Sequence, residues 1–261
     1  MTVEDRDSSP PSDGGKEPRS SASRPRKHLP LWQETALLLG VALVLAMVVK
    51  TFFVQAFYIP SESMEPGLVE DDRILVQKVS YWGGGEPQRG DVVVFKDPGG
   101  WLTGSIVEPP DNLVVRAMTR IGLYPSGGHL VKRVVGVAGD VVECCDDAGR
   151  ISVNGQPLTE DDYVKDDPET RCNGPMISSC DWKAGPVPDG HLFVMGDNRG
   201  ESADSTHKMC LPDETDCVPG REFVDADLVV GKVFLVLWPW DNFRWVKRPG
   251  TFDDVAAHGE R

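Results

Sequence analysis

The sequence predicts a mainly β fold of antiparallel sheets, carried behind a single N-terminal apolar helix. One stretch alone, Thr35–Val49, runs 15 residues without a charge. The 27 Gly and 21 Pro among 261 residues favour many turns and short strands over long helices. Between the turn clusters lie short β-branched runs. At 40% hydrophobic and 26% charged, most of the chain is globular and long enough to bury a core. The net charge is −14, and its acidic excess lies after residue 58. The basic footprint of a nucleic-acid binder is missing, so no nucleic-acid partner is expected.

Residues 1–28 are rich in Ser, Pro, Asp and Arg and poor in large apolar side chains, which predicts a disordered tail. The tail ends in the basic cluster Arg24, Arg26, Lys27 and His28. The apolar run alone spans ~22 Å as a helix, short of a ~30 Å hydrocarbon core. Lys50 can snorkel, and Thr51–Val54 bring the run to 20 residues, so a transmembrane helix is assigned to residues 29–55. Trp32 before the run, and Phe52, Phe53, Phe57 and Tyr58 after it, suit interfacial aromatic belts. The Lys/Arg bias keeps the N-terminus cytoplasmic and puts everything after Lys50 outside the cell membrane, with lipid as a partner. A basic region, an apolar run and Val54-Gln55-Ala56 also fit a cleavable signal peptide; both readings export the C-terminal part.

Residues 56–261 form the extracytoplasmic domain. Strands are expected at Arg73–Val79, Asp91–Phe95, Val131–Val137, Gly190–Met195 and Asp227–Leu237. Clusters such as Gly83-Gly84-Gly85 and Pro109-Pro110-Asp111 separate them. Leu228–Trp240 is too short for a second membrane helix, and it carries Lys232 and Pro239. The six cysteines, at 144, 145, 172, 180, 210 and 217, all follow the membrane segment, which points to disulfides. Cys172/Cys180 and Cys210/Cys217 suit local loops, whereas adjacent Cys144 and Cys145 are expected to reach different partners. No C-x-x-C occurs, so neither a metal site nor a cofactor is expected.

None of the five histidines sits in a G-x-S-x-G or H-E-x-x-H setting, so elbow hydrolases and zincins lack support. Three other segments stand out. In I59-P-S-E-S-M-E-P-G-L68, Ser61 and Ser63 share a side if the stretch is extended, or else they serve a Pro-bracketed turn. In L130-V-K-R-V-V-G-V-A-G-D140, Lys132 shares a strand face with Leu130 and Val134. At a sheet edge it would snorkel. Buried, it would lose charge and become a general base able to activate a serine without histidine. The third, G196-D-N-R-G-E-S-A-D-S205, is a polar turn or a scaffold that orients catalytic side chains.

Together, in this order after one membrane anchor, the segments resemble the boxes of bacterial type I signal peptidases. That resemblance implies a coiled, partly open barrel-like sheet and a membrane-bound serine endopeptidase. Such an enzyme removes signal peptides from exported preproteins, cutting after small residues in an A-x-A pattern. It implies Ser63 as nucleophile and Lys132 as general base, with the Ser202 hydroxyl orienting the amine. Ser61 matches an oxyanion-hole donor. Ile59, Met64, Leu68 and Val131 match positions lining shallow apolar specificity pockets. Arg133, Asp140, Asp197, Asn198, Arg199 and Asp204 match structural supports. Residues 141–190 match a variable insertion, here with four cysteines.

The sequence departs from the family pattern at four places. Glu62 stands where Gly is common, Gly67 replaces a frequent Thr, and Ala138 replaces Pro. Thr206 stands where Arg usually follows, so Arg133, His207 or Lys208 is expected to serve Asp204 instead. Two competing readings remain open. One is a soluble self-cleaving serine–lysine regulator, which the membrane run and acidic balance disfavour. The other is a membrane-anchored β-domain that binds partners but is catalytically impaired.

Overall fold

A computed structural model describes residues 30–102, 128–165, 181–211 and 214–256. The expected disordered tail and the Cys172/Cys180 pair therefore lie outside the described residues. The chain divides into two units, Met1–Ala42 and Leu43–Arg261.

Helix α1, Leu31–Phe52, holds the apolar run. Its window Leu31–Val48 has a mean hydropathy of 1.9 and no buried residue, so it is long and apolar enough to cross a membrane. The helix stops short of the expected residue 55. Val54 and Gln55 instead open strand β1 (Val54–Tyr58), pairing with Gln77 and Val76 of β2 (Arg73–Gln77).

All five expected strands are present within two residues of their expected ends. Besides β2 they are β3 (Val92–Lys96), β4 (His129–Gly136), β9 (His191–Met195) and β11 (Val229–Trp238). With β10 (Val224–Asp225) they build an antiparallel sheet in the order β1-β2-β11-β3-β4-β9-β10, and β12 (Arg244–Trp245) pairs with β11. Strand β11 shifts register against β2 between Val233 and Leu235 and again between Val236 and Trp238. Such bulges bend a strand and curl the sheet.

Strand β3 reads as an unbroken apolar run because both of its faces are covered. Val92 and Val94 join Ile59, Met64, Leu68, Ile74, Val76, Val233 and Val236 on one side. Val93 and Phe95 join Trp101, Leu130, Val134, Leu192, Val194 and Val224 on the other.

The 141–190 insertion contributes a second antiparallel sheet, β7-β6-β5-β8, from Gln156–Pro157, Ser152–Val153, Val142–Cys144 and Trp182–Ala184. Its hairpin turns on Asn154-Gly155, both with positive φ (54° and 74°), the pairing a two-residue type I′ turn requires. Val142, Val153 and Trp182 pack with Val135, Phe193 and Met195 of the main sheet.

One expectation about the cysteines changes. Cys144 and Cys145 are joined to each other, not to separate partners, while Cys210 and Cys217 close their local loop as expected. Trp238, Trp240 and Trp245 lie on the surface, 46%, 68% and 62% exposed.

Candidate active site

Lys132 cannot snorkel, because β4 is an interior strand. It pairs with β3 on one side (Lys132 opposite Val93) and β9 on the other (Arg133 opposite Met195). The side chain is 3% exposed. Its only hydrogen-bonded contact among the described residues is with Ser63, whose Oγ lies 2.6 Å from Nζ. Burial pushes the amine's pKa from 10.5 down to about 8, against the charges of Asp204 and Asp197, which pull it up. At pH 7.5 such an amine is neutral about a quarter of the time, against about one part in a thousand for an ordinary lysine.

Ser63 sits in a single 3₁₀ turn, Glu62–Met64, between Pro60 and Pro66. Prolines bracket the turn, and the buried Met64 and Leu68 anchor its far side. Ser61 Oγ donates to Ser63 Oγ at 3.3 Å, so the two serines do converge. Ile59, Met64 and Leu68 are buried in one apolar cluster, with half-buried Val131 packed against it.

The third box closes over the Ser63 turn. Asn198 donates from its backbone N–H to Ser63 O at 3.2 Å and from Nδ2 to Glu62 O at 3.1 Å. A side chain at Gly196 would collide with Ser202 Oγ and Ser63 O, so only glycine permits this approach. Asp204 gathers four donors: Ser202 Oγ (2.5 Å), Gly196 N–H (2.8 Å), Thr206 Oγ1 (2.8 Å) and Thr206 N–H (3.0 Å). Ser202 therefore contacts Asp204 and not the Lys132 amine. Arg133, His207 and Lys208 do not serve Asp204. Arg133 is committed to Asp197, Lys208 reaches Gly100 O, and Thr206 itself supplies the contacts.

Each supporting residue has a defined partner. Arg133 grips Asp197 through Nε (2.7 Å) and Nη2 (2.6 Å) and donates to Gly90 O. Asp140 accepts from Arg89, from Asn154 and from Val137 N–H. Arg199 donates to Gly196 O and pairs with Glu160 at 2.7 Å.

Sequence reasoning missed the middle of the insertion, residues 160–165. Glu160 anchors Arg199, Tyr163 lies 4.5 Å beneath the Arg133 guanidinium, and Lys165 N–H donates to Asp197 O. Val164 bridges to Pro66, and Lys165 pairs with Glu65. Four residues of the segment 160–165 thus touch all three boxes, and nothing local in E-D-D-Y-V-K signals it. Buried Asp72 and Asp91 were also missed. Asp72 holds Val69 N–H and Asn242, and Asp91 holds Lys232 and Arg248. Among the described residues no group of His, Cys, Asp or Glu is placed to hold a metal.

A buried amine against a serine hydroxyl, with a second hydroxyl alongside, is equipped for nucleophilic acyl transfer. Residues 32–238 match the family model described as signal peptidase, peptidase S26. The chain belongs to the signal peptidase family. It is 42% identical over 234 residues to "Signal peptidase I" of Mycobacterium tuberculosis, covering 85% of this chain and 77% of that protein. It is 40% identical over 235 residues to "Probable signal peptidase I" of Mycobacterium leprae (83% and 79% covered). Against "Probable signal peptidase I-1" of Synechocystis it is 39% identical over 186 residues (70% and 79% covered). The protein is a peptidase, and the self-cleaving regulator falls away.

Proposed function

We propose that this peptidase is anchored in the cell membrane by α1 and removes signal peptides from exported preproteins, using Ser63 and Lys132 as its catalytic dyad. The observation that carries the dyad is the 2.6 Å approach of a buried lysine amine, its pKa near 8, to Ser63 Oγ. The neutral amine accepts the Ser63 proton as the oxygen bonds to the scissile carbonyl carbon. The oxyanion is met by the Ser61 hydroxyl and the Ser63 N–H. When the C–N bond breaks, Lys132 returns the proton to the leaving amine. Water, deprotonated by the same amine, then hydrolyses the ester. One group does both proton jobs, which suits a pKa near working pH.

The apolar cluster of Ile59, Met64, Leu68 and Val131 underlies pockets that take small side chains before the cut, as in A-x-A. Asp204, fixed by Thr206, holds Ser202 and sets the charge that Lys132 feels. Arg133, Asp140, Asp197, Asn198 and Arg199 keep the boxes in register. The cytoplasmic tail covers residues 1–28, the anchor starts near residue 29, and the catalytic domain lies outside. The basic cluster before α1 and the Cys210–Cys217 disulfide support that orientation. The exposed Trp238, Trp240, Phe243 and Trp245 suit contact with the lipid surface.

The test is cleavage of a preprotein by the full chain in detergent, with Ser63→Ala and Lys132→Ala alongside. Both variants are expected to lose processing and labelling by an acylating reagent. Normal processing by either one overturns the dyad.

A further inference from the structure

The residue bonded to the nucleophile on its N-terminal side is an acid. Glu62 is exposed, and its carboxylate has no hydrogen bond or ion pair among the described residues. Its neighbours are not free to neutralise it. Lys165 is occupied by Glu65, and Arg199 is buried against Glu160. The backbone beneath Glu62 is fixed, because Asn198, 4% exposed, holds the carbonyls of both residue 62 and residue 63. A solvent-exposed negative charge without a protein partner among the described residues therefore lies beside Ser63. Chain geometry puts it about 8 Å from the Ser63 hydroxyl.

We infer that Glu62 is a specificity-determining residue: it favours substrates with a cationic side chain, and disfavours acidic ones, at the first two positions after the cut. The inference rests on Ser63 being the nucleophile. The apolar pockets restrict the first and third positions before the cut to small side chains, and the proposal assigns Glu62 to the leaving side, where substrate charge varies. For a substrate charge about 8 Å from the Glu62 carboxylate, in surroundings between bulk water and a protein surface, one charge pair changes the rate constant by roughly 2- to 5-fold. Exchanging Lys for Asp in the substrate counts that effect twice, which gives a ratio of roughly 5- to 20-fold.

The experiment measures kcat/KM of the full chain in detergent for three peptides that differ only in Lys, Gln or Asp at the first position after the cut, and for a second set varied at the next position. The expected Lys-to-Asp ratio is at least ~5 at 10 mM salt, where screening extends ~30 Å, and under ~2 at 0.5 M. Glu62→Gln should cut the low-salt ratio at least 3-fold, and Glu62→Lys should invert it. A ratio near one, or a ratio that both variants leave unchanged, overturns the inference. Ser63→Ala is run on the same peptides. If it still cleaves them, the dyad is what has failed; if it is inactive while the ratio ignores position 62, only the role of Glu62 has failed.

Discussion

Replacing Lys132 by methionine should make the protein more stable at pH 6 and confer no such gain at pH 10.5. The folded-state pKa of about 8 lies below the unfolded value of 10.5. Below pH 8 both states carry the proton, and the native state bears the full cost of a buried ammonium. Each pH unit between the two values corresponds to ~1.4 kcal/mol, so that cost is about 3 kcal/mol. Methionine fills a similar volume without charge, but it forfeits the contact with Ser63, a loss of about 1 kcal/mol. The net gain for Lys132→Met at pH 6 is therefore about 2 kcal/mol. Between pH 8 and 10.5 the unfolded wild type binds a proton that the native state does not. Wild-type stability thus rises relative to the variant, and above pH 10.5 the variant should be weaker by about 1 kcal/mol. Urea unfolding of both proteins in detergent, at pH 6, 8 and 10.5, reads the difference, and effects of other groups cancel between the two. A variant destabilised equally at all three pH values would refute the reasoning, because it would make Lys132 an ordinary paired cation.

Two further outcomes follow from the same geometry. Ser61→Ala removes one oxyanion donor, and kcat on a preprotein should fall ~100- to 1000-fold with KM little changed; an unaltered kcat would remove Ser61 from the oxyanion hole. Asp197→Ala strands the buried Arg133 guanidinium, whose two bonds to Asp197 measure 2.6 and 2.7 Å, and should cost about 3–5 kcal/mol in urea unfolding. A loss under 1 kcal/mol would show that water or another carboxylate takes over.

The strands were legible because their signals are local, whereas the approach of Lys132 to Ser63, 69 residues apart, was expected only through the family resemblance. The β-branched runs of β2, β3, β4, β9 and β11 carry their own pattern, and each box places its reactive residue within ten positions. What escaped depends on distant partners. Glu160 lies 39 residues from Arg199, and Arg133 lies 64 from Asp197. No periodicity links such pairs, so the tie between the insertion and the three boxes could not be read from spacing. The role of Thr206 was hidden for a related reason: a hydroxyl and its own amide replace a charge that motif reasoning seeks elsewhere. The Asn154-Gly155 turn is different, since N-G between two short strands is a readable hairpin signal that went unused. Cysteine spacing also misled at Cys144 and Cys145, where adjacency did not imply separate partners.

The pH dependence of kcat/KM for preprotein cleavage goes most directly to the centre of the account. With a neutral Lys132 amine as the base, and its folded-state pKa at about 8, the rate should fall tenfold per pH unit below about pH 8. A profile that stays flat from pH 8 down to pH 5 would mean that no amine at position 132 takes the proton from Ser63.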